Sequence, residues 1–267
     1  MQFGHNMGTR RFGRVNWLGL MTLTSREVQR FMSVRTQTLL APMVTAGLFL
    51  MIFNIAIGPR RGDVMGLPFV VFLAPGITMM TVIQNAFANT TSSIMTAKVQ
   101  GNIVDTLMPP LSASELVAGY LAGAVVRGMC LALGLWLGMF FILDIGLAHP
   151  FYALAFAFLG SAMLGAIGIV AAIHAQKYDQ MSAITNFIIT PLAFLSGSFY
   201  SIEALPDAIR QLTLWNPIFY LIDGFRFAVI DVSDGTPAVG LFVCTLSTIA
   251  ISALAWALFR VGYRLKS

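Results

Sequence analysis

Six stretches of this chain, residues 37–57, 66–90, 114–143, 151–175, 182–200 and 236–260, run almost free of Asp, Glu, Lys and Arg, with only Glu115, Arg127 and Arg260 interrupting them. At ~1.5 Å of rise per residue, about 20 apolar residues cross the ~30 Å hydrocarbon core of a bilayer, and a helix satisfies its own backbone there. The pattern predicts an all-α polytopic membrane protein with six transmembrane helices, forming one membrane domain over 37–267 behind an N-terminal segment, 1–36.

The connecting segments carry their own patterns. Over 16–35, Trp17, Leu20, Met21, Val28, Phe31 and Met32 fall in one arc of a helical wheel, with Arg26 and Arg30 opposite. This reads as an amphipathic helix that either lies in the headgroup plane or docks a partner. Residues 96–107 are polar, with Lys98, Gln100, Asn102 and Asp105, and end at Pro109-Pro110, which cannot continue a helix. Ser112 followed by Glu115 fits a capping box that starts the third span. Residues 201–235 mix acidic, aromatic and apolar residues, too apolar for a solvated loop and too charged to span. Short re-entrant or interfacial helices, broken at Trp215-Asn216-Pro217, fit that mixture.

Composition agrees: 57% of residues are hydrophobic and 10% charged, at a mean hydropathy of +0.80, far from the roughly one-quarter charged make-up of soluble domains. The net charge of +5 shows no aromatic-interleaved basic patch, which excludes nucleic acid as the expected partner. Topology accounts for it instead. With six crossings, Arg10, Arg11, Arg14, Arg26, Arg30, Arg35, Lys98, Lys177, Arg260, Arg264 and Lys266 share the side of the termini, against Arg60, Arg61, Arg210 and Arg226 on the other. The positive-inside rule then puts both termini in the cytosol. The first apolar run starts too far along for a cleaved signal peptide. Cys130 and Cys244 sit inside apolar runs and read as small buried hydrophobes.

Within the spans, Thr78, Thr81, Asn85, Asn89 and Ser92 form one polar stripe at helical spacing, which serves either helix packing or the lining of a transport route. Arg127 follows Gly119 and Gly123 at four-residue steps; counted from Ser112 it lies more than about 20 Å along its helix, well inside the bilayer. Its partner is either an anionic head group or neighbouring carbonyls and amides. Ser161, Gly165, Gly168 and Ala172 form a close-packing face. No P-loop, HExxH, Cys/His cluster or G-x-S-x-G elbow occurs, so the sequence offers no catalytic residue, no metal site and no ATPase of its own.

Three stretches, taken in order, resemble a known family. They are Phe72-Leu73-Ala74-Pro75-Gly76, Pro191-Leu192-Ala193-Phe194-Leu195-Ser196-Gly197-Ser198-Phe199-Tyr200 with Leu205-Pro206, and Asn216-Pro217 with Gly224-Phe225-Arg226. From about Arg30 onward the chain resembles the ABC-2 type transporter permeases, among them the bacterial YadH-type and NodJ-type subunits. The resemblance implies a connecting helix over 16–35 and a coupling helix over 96–107, with Arg26, Arg30, Lys98, Gln100, Asn102, Asp105 and Thr106 serving the contact to the ATPase. It implies short re-entrant helices before the last span and a homodimer meeting through spans one and five. Two copies of a separate ABC ATPase would hold the ATP and Mg, with no cofactor in this chain. It also implies a bacterial inner (plasma) membrane location, among membrane lipids, and export of a lipid, lipid-linked glycan or drug. The candidate pathway lining is Thr78, Thr81, Asn85, Asn89 and Arg127. Two competing classes are an ion-coupled carrier or channel, which calls for intramembrane carboxylates that the spans almost lack, and a non-transporting membrane scaffold.

Overall fold

The structure, a computed structural model, describes residues 15–56, 58 and 62–264. Ile57 at the end of the first predicted span, and Arg10, Arg11, Arg14, Arg60, Arg61 and Lys266 of the charge count, lie outside those residues. Helix α1, Trp17–Ser33, is capped by Asn16, whose side chain accepts from the Gly19 amide. An elbow at Val34 and Arg35 leads into α2, Thr36–Ala56, which opens with a π turn, Thr36–Leu40. There follow α3 (Phe69–Val99), the short α4 (Ile103–Leu107), α5 (Ala113–Leu143) and α6 (Pro150–His174). The helical run 178–194 is α7, and α8 (Asp207–Leu214), α9 (Pro217–Ile230) and α10 (Pro237–Val261) complete the chain.

Helices α3 and α6 form the core of the bundle. Their most apolar windows are 78% and 72% buried, against 6% for α2 and 17% for α10, so the latter two turn most of their surface outward. Small residues let the core pair approach. A Cβ on Gly168 would lie 2.8 Å from the Phe87 carbonyl oxygen, and Thr90 Oγ1 donates to the Gly165 carbonyl at 2.9 Å. Close backbone approach is what drives helix association where lipid removes the hydrophobic incentive.

Among the described residues five helices, α2, α3, α5, α6 and α10, are long and apolar enough to cross a membrane. The predicted fifth span, 182–200, differs. Its helix is built of three pieces joined through a π turn at Thr185–Ile189 and ends at Phe194. At ~1.5 Å per residue α7 reaches about 25 Å, short of a full hydrocarbon core. The predicted single helix over 96–107 is also divided. Helix α3 continues through Thr96 and Lys98 to Val99, Gly101 turns the chain at φ +74°, and α4 takes up the remainder. Glycine reaches that left-handed conformation without a Cβ clash. The predicted capping box is present, with Ser112 and Glu115 bonded reciprocally at the head of α5.

At the other end, the region 201–235 holds a three-residue 3-10 turn, Ile202–Ala204, the largely exposed α8 and the largely buried α9. Helix α9 has 14 residues and spans about 21 Å, too short to cross.

Candidate functional site

Helix α1 packs on the domain through its charged side. Leu23, Glu27 and Phe31, one turn apart, are buried, whereas Trp17, Met21 and Met32 are exposed. Glu27 has no solvent exposure. Its Oε1 lies 3.3 Å from Arg26 Nη2 and accepts from Ser93 Oγ at 2.7 Å; its Oε2 lies 3.2 Å from Arg30 Nη2. Each arginine then reaches a different element. Arg26 donates to Thr106 Oγ1 of α4 at 3.0 Å and to the Tyr120 hydroxyl of α5 at 3.5 Å. Arg30 donates to the Asn89 carbonyl at 2.7 Å, to Asn89 Oδ1 at 3.1 Å and to Ser92 Oγ at 3.0 Å, all on α3. A carboxylate carrying two guanidiniums and a hydroxyl has its lone pairs satisfied, the condition under which burying the charge is tolerable. The head of α1 is joined as well, since Glu115 Oε1 accepts from the Asn16 amide and the Asn16 side chain donates to the Pro110 carbonyl at 3.2 Å.

Of the residues assigned to an ATPase contact, Gln100, Asn102 and Asp105 are exposed, together with Val104 and Met108, around the turn that separates α3 from α4. Thr106 is buried as the acceptor for Arg26. Lys98 is directed elsewhere: its ammonium donates to the carbonyls of Ala172, Ile173 and Ala175 at 3.1, 2.9 and 2.6 Å, capping the C-terminal end of α6. A cation there satisfies orphaned carbonyls and complements the helix dipole.

The polar stripe of α3 is divided among different partners. Thr78 Oγ1 points at Met139 Sδ of α5, 3.6 Å away, and Thr78 also lines an otherwise apolar groove of about 310 Å³ between α2 and α5, with Asn54 as its other polar wall. Thr81 bonds back to the Ile77 carbonyl at 2.8 Å. Asn85 Oδ1 accepts from Arg127 Nη2 at 2.7 Å, and Asn89 belongs to the Arg30 network. Arg127 Nη2 also reaches the Thr38 carbonyl at 3.4 Å, inside the π turn that opens α2. Among the described residues no carboxylate pairs with Arg127. Its Nε and the side-chain nitrogen of Asn89, both buried, have no hydrogen-bond partner.

At the opposite end of the bundle, the three stretches that carry the family resemblance converge. Arg226 of α9 is fully buried, its guanidinium 4.1 Å from the centroid of the Phe72 ring and bonded to the Gly197 carbonyl. Nη1 lies 3.6 Å from Asp223 Oδ1 and 3.5 Å from Asp234 Oδ2. Asp223 in turn folds the last connection, accepting from Ser233 Oγ at 2.7 Å and from the amides of Asp234 and Gly235 at 2.8 and 3.0 Å. Burial pushes the Asp234 carboxyl above the usual range, against the lowering effects of the Ser201 hydroxyl and Arg226. Gly76, from the first stretch, faces the turn directly: a Cβ there would collide with the Ser198 carbonyl oxygen. The sequence pattern passes over Glu27 and Asp234, and it brings in Arg226 through the charge count and the third family stretch, without its buried partners. The readable signal for Glu27 was its spacing, next to Arg26 and three residues before Arg30.

Comparison with known proteins gives this arrangement its context. The ABC-2 type transporter family matches residues 19–230. The inner membrane transport permease YadH of Escherichia coli (strain K12) is 35% identical over 253 residues, covering 94% of this chain and 98% of that protein. Nodulation protein J of Sinorhizobium fredii (strain NBRC 101917 / NGR234) is 28% identical over 73% of this chain and 74% of its own length, and that of Rhizobium leguminosarum bv. viciae is 23% identical over 80% and 82%. With its all-helical, membrane-crossing architecture, the chain belongs to the ABC-2 type transporter family and is the membrane subunit of an ABC transporter.

Proposed function

We propose that this chain is the permease half of a bacterial inner-membrane exporter, moving an amphipathic lipid, lipid-linked glycan or drug outward, powered by ATP hydrolysis on a separate subunit. The observation that carries the reading is the junction at Glu27. Through Arg26 and Arg30 it fastens α1 to α3, α4 and α5 at once, directly behind the exposed turn of Gln100, Asn102 and Asp105. Force applied to that turn by a cytosolic ATPase reaches the core span α3 without passing through a flexible linker. Two copies of the ATPase serve a homodimer of this chain, with α2 and α7, both largely outward-facing, as the dimer seam. In this reading 182–200 crosses as the remaining span, completing six crossings with both termini in the cytosol, and Thr78, Thr81, Asn85, Asn89 and Arg127 border the route.

The test is purification from the native membrane with bound partners retained. A P-loop ATPase co-purifying in equal amount, whose hydrolysis rises with a lipid or glycan cargo, is the expected result. A permease that purifies without an ATPase and carries out ion-driven flux would overturn it.

A further inference from the structure

Helices α2 and α5 close on each other where Met43 meets Gly134: a Cβ on that glycine would collide with the methionine Cε. One turn further along both helices the flank is open. Gly47 of α2 and Gly138 of α5 each have nothing within 4 Å of where a Cβ would stand. These four residues belong to the groove of about 310 Å³ already described, whose far end is marked by Asn54, Leu143 and Val70. All three lie at or near a helix end on the same side of the bundle, the C-terminal ends of α2 and α5 and the N-terminal end of α3. The groove therefore runs inward from one membrane face and stops at Met43 and Gly134.

Its length is that of one leaflet. Met43 to Asn54 is about 16 Å along α2 and Gly134 to Leu143 about 13 Å along α5, against ~15 Å for half of a ~30 Å core. A membrane-crossing helix of a second copy, about 10–12 Å across and ~30 Å long, does not enter a space of this size. The side-chain walls are apolar except at Thr78, whose hydroxyl is turned onto Met139 Sδ, and at Asn54, which is exposed at the mouth. Such a space holds no attraction for water, and while empty it forfeits dispersion contacts that a hydrocarbon chain restores. Nor is this flank the dimer seam. Met43, Gly47, Leu50 and Asn54 face the groove, whereas the exposed Thr45, Phe49, Ile52 and Ala56 repeat that spacing two residues on, about 200° round α2. The side opposite the groove is left to a second copy.

We infer that the groove between α2 and α5 is a binding site for one acyl chain of a glycerophospholipid resident in the leaflet remote from α1. The chain enters at the open end, lies against Gly47 and Gly138, and ends at Met43 and Gly134. At the mouth the Asn54 amide donates to an ester carbonyl of the same lipid. The site requires α2 and α5 to stand in a bilayer and makes no use of transport, so export can fail as a reading while this site survives.

The experiment uses the full chain in vesicles of dioleoyl phosphatidylcholine doped with phosphatidylcholine carrying a diazirine midway along one chain. After illumination, labelled residues are mapped by mass spectrometry. Labelling of the groove residues within 43–54 and 134–143 is expected to exceed that of the outward face of α10 around Ala250 about fivefold, because a packed chain dwells longer than a passing one. Gly47→Leu and Gly138→Leu put bulk into open space, and each is expected to bring groove labelling down to the α10 level. Ala250→Leu, which adds bulk away from the groove, is expected to leave it unchanged. Groove labelling in the wild type no higher than that of α10 overturns the inference whether or not the variants fold, and so does an excess that survives in both folded leucine variants. Gly138 replaced by benzoylphenylalanine tests the other occupant: capture of a second copy of the chain in place of lipid gives the groove to a protein contact and overturns the inference as well.

Discussion

The guanidinium of Arg226 stacks on Phe72, 4.1 Å from the ring centroid, and so joins α9 to the N-terminal end of the most buried long helix, α3. One face of the cation meets π density while its edge meets Asp223, Asp234 and the Gly197 carbonyl. The short helix α9 cannot cross the membrane, so this contact, together with packing on α6 and α10, is what holds it in the bundle.

Removing the cation leaves two buried carboxylates facing each other, and breaking such a pair costs on the order of 3–5 kcal/mol. Arg226→Ala is therefore expected to abolish stable expression or to lower the detergent melting temperature sharply. Phe72→Leu keeps the ion pairs and removes the cation–π contact, worth about 1–2 kcal/mol, together with some packing of a fully buried ring, and is expected to cost less than Arg226→Ala. Equal melting temperatures for Phe72→Leu and Arg226→Ala would refute this ordering.

Gly76 makes a sharper steric prediction. A methyl group there meets backbone, the Ser198 carbonyl, and backbone cannot swing aside as a side chain does. Gly76→Ala is expected to cost about 1–3 kcal/mol through overpacking. Gly138 on α5 has open space where its substituent would stand, with nothing within 4 Å, so Gly138→Ala is expected to be neutral or to stabilise by up to about 1 kcal/mol. Thermal melts of the two variants side by side decide it; a Gly76→Ala protein as stable as wild type contradicts the close approach.

Glu27 is the joint of the network that fastens α1. Glu27→Gln keeps the shape but removes the charge that both Arg26 and Arg30 share, and is expected to destabilise the chain by on the order of 3 kcal/mol. Arg26→Gln, which removes a half-exposed cation, is expected to cost less than about 1 kcal/mol of folding stability. Should Glu27→Gln melt with wild type, the buried carboxylate is not what fastens α1.

These contrasts also mark how much of the molecule is legible in its sequence. The uncharged runs coincide with the helices α2, α5, α6 and α10 to within one residue at each end, whereas α3 continues to Val99, past the polar residues at which an apolar run ends. They could not show that 182–200 contains a π turn, since average hydropathy is blind to a local change of hydrogen-bond step. Helical periodicity placed Arg26 and Arg30 on one side of α1 but not the direction that side faces. That direction depends on Asn89, Ser92, Thr106 and Tyr120, all far away in sequence. Arg127 shows the same limit: its carbonyl partner, Thr38, lies on another helix, and a carbonyl has no residue-type signature.

Lys98 and Asp105, close in sequence and both assigned to the ATPase contact by family resemblance, are expected to behave differently. Lys98 donates to three carbonyls at the end of α6, so Lys98→Ala uncovers those acceptors and should lower thermal stability by about 1–2 kcal/mol. Asp105 is exposed beside the turn at Gly101, and no salt bridge within the described residues ties it down. Asp105→Ala should therefore melt as wild type does. If the turn is where the ATPase bears on the permease, the same variant should lose most cargo stimulation of ATP hydrolysis while keeping the basal rate, and Gln100 and Asn102 substitutions should follow it. Melting curves and stimulated hydrolysis measured on one preparation of each variant separate the two roles. Full stimulation in all three exposed-turn variants would move the coupling contact off this turn, and a Lys98→Ala protein of wild-type stability that fails to couple would return Lys98 to the interface.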